Sequence, residues 1–433
     1  MIDSPSSQDH IRLRHRHLEK IAMAALNVGC MLMESGAKAE VVRNGIEMVV
    51  KGLGAETIAV RIGYASISLT VRDGGDVGNT ISRLLQVGHH GVNLQLNNAA
   101  RALAVRASQG SLTPEAIVEE VAGLRKKTPK HHWVTVALAT GLACASFGQL
   151  LGTDATAFLP IWFAGFIGQT IRHFMVLNKQ NVFAMVTIVA FVSSAIGGLI
   201  SQLVGSVTPE MAMFSSVLLL VPGVPSMNAQ TDIMEGSPTL GSARALTVFM
   251  VLIFLTVGVA LSRYILMRFG AYDQLLNHGI VHHILFGGIA AAGFGILFNF
   301  SWRTVGWTAI GGGIALAVRT LGLDAQWGLA MSSTMAAAAV TVYVRLLYLL
   351  PVYVPTGGSM LAIAGCIPMI PGSGAAHGIV GLMTFASQHD NYDVALLGSS
   401  VASMLSVVFT IGGIAAAITL INEIIKRPSF PTL

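Results

Sequence analysis

The sequence predicts an all-α polytopic membrane protein, with about ten transmembrane helices as two five-helix inverted repeats and an N-terminal cytosolic α+β domain. Hydrophobic residues make up 53% of its 433 residues and charged residues only 11%, less than half the roughly 25% charge of soluble domains. Polar residues concentrate before about residue 130, and apolar stretches follow. Each half of the apolar region contains one segment that Pro and Gly interrupt, which is typical of transporters with broken helices.

Composition also excludes several classes of function. The three cysteines, Cys30, Cys144 and Cys366, are scattered and have no paired spacing, so we expect neither a disulfide framework nor a metal site, and no cofactor. No nucleic-acid motif is present, and the net charge of +5 suits the anionic headgroups of a lipid bilayer better. The basic N-terminus lacks an apolar core, which argues against a cleavable signal peptide.

Residues 1–130 predict the α+β domain. Apolar residues at helical spacing alternate with β-branched stretches that turns separate. The predicted helices are Leu18–Met33, Ala39–Leu53, Asn93–Ala107 and Pro114–Leu124, and the predicted strands are Thr57–Ile62, Ala65–Val71 and Thr80–Val87.

Residues 131–262 and 263–433 predict one five-helix membrane module each. A helix needs about 20 apolar residues to cross a bilayer. The candidates are Trp133–Leu151, Ala157–Leu177, Val182–Leu203, Met211–Met227 and Ala243–Leu261, then Val281–Phe300, Val305–Leu321, Trp327–Leu349, Gly357–Ile370 and Val394–Ile421. Because a chain that crosses the membrane five times ends on the side opposite to its start, the second module must begin on the other side and lie in the opposite orientation.

Basic residues predict that both termini are cytoplasmic. The segment RKKTPKHH precedes the first apolar span, and positive charge stays on the cytoplasmic side. With ten spans, the following basic residues also fall on that side: Arg172, Lys179, Arg244, Arg303, Arg345, Lys426 and Arg427. Arg263, Arg268 and Arg319 would face outside, against the rule.

The first interrupted segment, VPGVPSMNAQTDIME, is the strongest candidate site. Proline removes a backbone donor and crowds the preceding turn, so we expect the helix to break at Pro222, Gly223 and Pro225. A break at membrane depth requires protein partners or a cavity. Asn228 and Gln230 are candidates for binding the polar end of a substrate, and capping of the restarted helix is the alternative.

Two carboxylates follow in the same segment. An ionised carboxylate at the bilayer centre costs about 2.5 to 3.5 kcal/mol, so Asp232 is a candidate for carrying a coupling proton, together with Glu235. In the alternative interpretation, the segment has left the membrane and both residues form a solvated loop with Arg244.

The second interrupted segment, CIPMIPGSGAAHG, aligns with the first, with Pro371 over Pro222 and Gly372 over Gly223. Pro368 and Pro371 are expected to hold the break open, while the amides at Gly372, Ser373 and Gly374 present donors to an anion such as a carboxylate.

His377 follows Ser373 by one helical turn. This is the minimum for a nucleophilic pair, and it makes an intramembrane serine hydrolase a remote alternative. A His377 that lines the substrate path or carries a proton is the preferred interpretation, beside an ordinary hydrogen-bonded core histidine. Gln169, Arg172 and His173 close the second apolar segment and are assigned to a cytoplasmic loop region, with the alternative that Gln169 and Asn181 reach a substrate path.

Several motifs together resemble the threonine/serine exporter family. LNVGCMLMESGAKAEVV, ETIAVRIGYASISLTV and LLLVPGVPSMNAQTDIMEG look like its N-terminal module, and CIPMIPGSGAAHG looks like its smaller C-terminal module. In that family the modules are fused or separate, and the separate form resembles a bacterial succinate exporter pair. The chain departs from the pattern at His377, where many relatives have an aromatic residue, which leaves the substrate side chain open.

The resemblance implies a secondary carrier of the bacterial inner membrane that exports threonine and serine, driven by protons. It assigns motif roles to Pro222, Gly223, Pro225, Asn228, Asp232, Pro368, Pro371, Gly372, Ser373 and Gly374. A small dicarboxylate such as succinate is the rival substrate, and a homo-oligomer is left open. The N-terminal domain, a candidate ligand sensor or assembly module, gains no role from the resemblance.

Overall fold

The N-terminal region folds as a small sheet covered by helices in this computed structural model, which describes residues 7–73, 80–266, 276, 278–347, 358–386, 388, 393–425 and 430. Arg268, Lys426 and Arg427, which entered the charge argument, lie outside the described residues. The elements of this region are α1 (Ser7–Glu34), α2 (Ala39–Gly52), β1 (Ala55–Ile62), β2 (Ser66–Asp73), β3 (Thr80–Gln86), α3 (Leu94–Ser108) and α4 (Pro114–Lys127).

The three strands form an antiparallel sheet in the order β1-β2-β3. Alternate residues of β2, namely Ile67, Leu69 and Val71, are fully buried, because successive side chains of a strand point to opposite faces, and helix α1 packs on β2 and β3. The predicted start of the first helix at Leu18 is wrong, since α1 begins at Ser7. Its first turns are charged and polar, so no apolar periodicity marked them as helix.

The remaining helices form the membrane region. Seven helices are long and apolar enough to cross a bilayer, and nine spans result if each of two bent helix pairs counts as one, within the described residues. The helices are α5 (Trp133–Leu150), α6 (Phe158–Leu177), α7 (Val182–Leu203), α8 (Pro209–Ser215), α9 (Gly223–Met234), α10 (Pro238–Leu266), α11 (Ile280–Leu297), α12 (Trp302–Asp324), α13 (Leu329–Leu347), α14 (Gly358–Cys366), α15 (Gly372–Ala386) and α16 (Val394–Ile424). Helix α6 corresponds to the second predicted span, Ala157–Leu177, and is not among the seven. It packs against α5 and α7 and carries Arg172 and His173 in its last turns.

Both interrupted segments are longer than the sequence predicts. The fourth predicted segment ended at Met227, whereas α9 continues to Met234, and the ninth ended at Ile370, whereas α15 continues to Ala386. Both predicted ends are wrong, because α9 continues through polar residues beyond Met227 and the second Pro-Gly pair begins α15 instead of terminating the span.

The helix pairs α5–α6 and α11–α12 repeat the same contacts at small residues. Gly141 of α5 abuts the backbone oxygen of Trp162 in α6, and Gly288 of α11 abuts that of Ala309 in α12. Gly165 likewise abuts Cys144, and Gly312 abuts Ala291. The separation in sequence between these two pairs equals that between Gly141 and Gly288. Such glycines let helix backbones approach closely. The chain therefore contains an internal structural repeat of helix pairs.

The loops between the membrane helices sort into two groups at opposite ends of the helices. At one end, the α11–α12 loop contacts the N-terminal region, where Asn299 donates to Asn93 Oδ1 at 2.9 Å and to the Pro129 oxygen at 2.8 Å. Phe430, near the C-terminus, packs beside Gly45 in the N-terminal core at the same end. At the other end, the Leu276 amide donates to the Gly152 oxygen at 2.9 Å. We call these the domain face and the opposite face.

Candidate functional site

The two helix breaks have the same backbone geometry. Helix pair α8–α9 bends by 57° and pair α14–α15 by 59°. At the first break the Gly223 amide donates to the Val221 oxygen at 2.8 Å, and at the second the Gly372 amide donates to the Ile370 oxygen at 2.8 Å. A short 3-10 turn precedes each Pro-Gly pair. The aligned sequence motifs therefore produce the same interrupted structure twice.

The two breaks pack against each other, and we call this contact the crossing. A Cβ atom built on Gly223 would lie 2.8 Å from Ile370 Cδ1, and one built on Gly372 would lie 2.8 Å from Val221 Cγ2. Because Val221 and Ile370 occupy the same place in the two motifs, these contacts are reciprocal, as across a two-fold axis. Phe147 and Phe294 pack edge to face beside this crossing.

A cavity of about 630 Å³ lies beside the second break. Five predicted site residues of that break line it, namely Pro368, Pro371, Gly372, Ser373 and Gly374. Leu150 and Leu151 at the end of α5, His278 and His283 near the start of α11, and Asp324 at the end of α12 also line it. These ends belong to the opposite face, so the cavity opens away from the N-terminal domain.

Backbone donors and one arginine give this cavity an anion-binding character. A helix leaves its first amides without intrahelical acceptors. At α15, Gly372 donates to Ile370 and Ala375 to Pro371, while the Ser373 and Gly374 amides have no backbone acceptor within the described residues. Arg319 Nη1 donates to the Met369 oxygen at 3.4 Å, just before the break. This cavity therefore suits a carboxylate.

The cavity also carries negative charge, at Asp324. No ion pair joins Asp324 to Arg319 or to another described cation. Arg319 and Asp324 therefore give the cavity lining one charged side chain of each sign. A ligand with one cationic and one anionic group matches this distribution.

The polar residues of the first break face the N-terminal domain instead. Asp232 is fully buried, pairs with Arg244 and accepts a hydrogen bond from the Ala39 amide at 2.8 Å. Asn228 Nδ2 donates to the Gly36 oxygen at 3.0 Å. Asp232 pairs with Arg244, as the alternative interpretation expected, but it is fully buried, so the solvated character of that alternative is wrong. None of these residues is among those that line the cavity.

Glu235 extends this contact by pairing with Lys38, which also pairs with Glu40. Burial acts to lower the pKa of Lys38, but the hydrogen bonds and charges of the two glutamates outweigh it and raise that pKa above its usual value. We call the contact between the loop Gly36–Ala39 and residues Asn228, Asp232, Glu235 and Arg244 the domain latch.

The other predicted site residues lie elsewhere. Pro222 and Gly223 lie at the crossing, and Pro225 is exposed. Gln230 lies near Gly412 of α16, and its buried Oε1 has no hydrogen-bond partner within the described residues. The ring of His377 packs against Phe214, with ring centroids 4.3 Å apart, whereas Ser373 lines the cavity.

Sequence reasoning missed two cavity residues. Arg319 entered only as a charge that opposed the predicted topology, and Asp324 was not considered. A signal for Arg319 was present, because a cation inside the apolar segment Val305–Leu321 is costly and marks a functional candidate. Its place beside the second break depends on helix packing, which spacing does not reveal.

Two interrupted helices that pack on each other beside a polar cavity are typical of one class, the multi-pass membrane carriers. Residues 23–266 match the family described as "Putative threonine/serine exporter", and residues 283–424 match the one described as "Threonine/Serine exporter, ThrE". The chain belongs to the threonine/serine exporter family, so it is a transport protein of the membrane.

Curated relatives agree with this assignment. The chain is 22% identical over 439 residues to a "Threonine/serine exporter" of Corynebacterium glutamicum, covering 95% of this chain and 84% of that protein. It is 26% identical over 249 residues to a "Probable succinate transporter subunit YjjP" of Klebsiella aerogenes, covering 56% of this chain and 94% of that protein. The Escherichia coli K12 protein of the same description is also 26% identical, over 246 residues. No solved structure matches the chain significantly.

Proposed function

We propose that the protein exports small amino acids, with threonine and serine as substrates, through the cavity beside the second break. The observation that carries this proposal is the charge pattern of the cavity. Arg319 and the free amides of Ser373 and Gly374 suit the substrate's carboxylate, and Asp324 suits its ammonium group. The volume of about 630 Å³ accommodates a molecule of this size with water.

The proposed mechanism is alternating access between two modules of opposite orientation. Reciprocal contacts at Gly223 and Gly372 support a two-fold relation between the modules. Rocking of one module about this crossing would close the present cavity and open its counterpart. If the N-terminal domain is cytoplasmic in the bacterial inner membrane, as the basic residues predict, this structure faces outward, and both termini lie inside.

Proton coupling in this proposal runs through Asp232. Protonation of this carboxylate would weaken its pair with Arg244 and its hydrogen bond from Ala39. Helix α9, which carries Asp232, begins at the first break, so release of the latch would free that break to move. Glu235 contributes through Lys38. Asp232→Asn is expected to abolish uphill efflux while sparing substrate exchange, and normal uphill transport in that variant contradicts the coupling role.

Counterflow in proteoliposomes tests the substrate. Vesicles loaded with unlabelled threonine should accumulate labelled threonine and serine through the purified protein. Protein-free vesicles supply the baseline. If neither amino acid exchanges, the substrate assignment fails.

Export of a small dicarboxylate is the second candidate, favoured by the relatives described as succinate transporter subunits. A dicarboxylate would place its second negative charge near Asp324, which disfavours it. We expect Asp324→Asn to increase the ratio of succinate to threonine exchange. A parent protein that exchanges succinate and not threonine would establish the dicarboxylate instead.

The serine hydrolase alternative has less support. Ser373 lines the cavity, but the His377 ring packs on Phe214, and the family is one of transporters. Labelling of Ser373 by a serine-directed probe would favour the hydrolase.

A further inference from the structure

Arg172 and Arg319 occupy the same place in the two membrane modules. Arg172 lies on α6 and Arg319 on α12. The number of residues between them equals the number between Gly141 and Gly288, and between Gly165 and Gly312, which make matching contacts in the α5–α6 and α11–α12 pairs. The internal repeat therefore places one guanidinium in each module, at corresponding heights of corresponding helices.

Neither arginine has an acidic partner. Both side chains are half-buried, and no ion pair to either is present in the described ranges. A cation in an apolar helix is costly unless it finds a counter-charge, a carbonyl group or water. Arg319 Nη1 donates to the Met369 oxygen at 3.4 Å, and the side chain also lines the cavity. An anionic ligand would supply the counter-charge that each guanidinium lacks.

The two arginines lie toward opposite faces. Arg319 is near the end of α12, and its cavity opens at the opposite face with Leu150 and His278. Arg172 is near the end of α6, the helix whose other end follows the Gly152 loop of the opposite face. A helix of 20 residues spans about 30 Å, so the end of α6 that carries Arg172 reaches toward the domain face.

We propose that Arg172 and Arg319 bind the substrate's carboxylate in turn, Arg319 in the state described here and Arg172 in the state open to the domain face. The proposal rests on the transport function proposed above. In that second state, the cavity would lie beside the first break, with Val224 in the place that Ser373 holds now. A guanidinium recognises a carboxylate with two parallel hydrogen bonds, which a lysine cannot reproduce.

Sided cysteine labelling with substrate protection tests this assignment. Ser373→Cys and Val224→Cys are placed separately in a background that carries Cys30→Ala, Cys144→Ala and Cys366→Ala. An impermeant maleimide is applied from each face of oriented proteoliposomes. We expect the first cysteine to react from the opposite face and the second from the domain face, with threonine protecting both.

The arginine variants then separate the two sites. Arg319→Gln should raise the threonine concentration for half-protection at position 373 by about tenfold or more, because a charge-assisted hydrogen bond is lost. With threonine supplied only on the face from which the maleimide is applied, it should leave protection at position 224 within about twofold, because threonine on that face reaches only the state in which Arg172, not Arg319, holds the carboxylate. Arg172→Gln should give the reverse pattern, so each variant is the control for the other.

Three results would overturn the proposal. They are unchanged protection at position 373 in Arg319→Gln, equal effects of both variants at both positions, and labelling of both cysteines from one face. If a glutamine variant misfolds, Arg172→Lys and Arg319→Lys keep the charge and should give the same sided pattern with a smaller shift. A parent protein in which threonine and serine neither protect nor exchange refutes the transport function itself, which is a different outcome.

Discussion

Asp232→Ala should detach the N-terminal domain from the first broken helix. The substitution leaves Arg244, which is 6% exposed, without its carboxylate partner, and it removes the acceptor of the Ala39 amide. Breaking a buried ion pair by removal of one partner costs about 3–5 kcal/mol. Because 1.4 kcal/mol corresponds to a factor of ten, the docked state should lose about 10²- to 4 × 10³-fold in population relative to the undocked state.

Hydrogen exchange measures this loss directly. In the parent protein the Ala39 amide is buried against Asp232, so peptides that cover residues 35–45 should exchange slowly. The variant should exchange faster there, while peptides from the sheet, with its own core around Leu69, should remain protected. Glu19→Gln is the matched control, since Glu19 pairs with Arg83 at an exposed position, and such pairs contribute about 0.2–1 kcal/mol.

A double variant distinguishes the loss of the Asp232–Arg244 attraction from the cost of leaving Arg244 buried without a partner. Asp232→Ala with Arg244→Met removes both charges of this buried ion pair, so part of the lost protection should return. Unchanged exchange at Ala39 in Asp232→Ala alone would refute the view that this ion pair holds the domain.

Other positions test the packing and the titration of the same fold. Gly141→Ala should lower the melting temperature in detergent, because its Cβ would abut the Trp162 backbone oxygen. Gly306→Ala is the control, since its Cβ meets open space, and it should be neutral or stabilising by about 0.4–1 kcal/mol. Equal melting temperatures of the two variants would contradict this reasoning. Burial lowers the pKa of His90 despite its hydrogen bond to the Tyr64 oxygen. Its stability contribution is therefore present above pH 6.5 and is lost as pH falls from there through the lowered pKa, so acid denaturation monitored by circular dichroism should begin at lower pH in His90→Gln. Asn299→Ala should increase proteolysis at residues 128–132, because Asn299 donates to the Pro129 oxygen and holds φ at +56°, which alanine disfavours.

The membrane character and the paired breaks were predictable from the sequence. Apolar runs of spanning length reflect the bilayer, and a Pro-Gly pair interrupts a helix by local sterics. Because these effects act within a few residues, the motifs at Pro222 and Pro371 were sufficient to predict that the helices break there. Helix ends were less predictable, as Met234 and Ala386 illustrate, because polar and small residues continue a helix without an apolar pattern.

The roles of the polar residues depended on tertiary structure. Asp232 and Arg319 are both charged groups near apolar segments, and the sequence favoured the aspartate as the functional residue, in proton coupling. Packing places Asp232 against the loop around Ala39, almost two hundred residues away in the chain, and places Arg319 beside the second break. Sequence determined which backbone segments break, because that is a local steric property; only the assembled helices decided which charges meet a cavity and which meet a protein partner, because desolvated charges take their partners from distant parts of the chain.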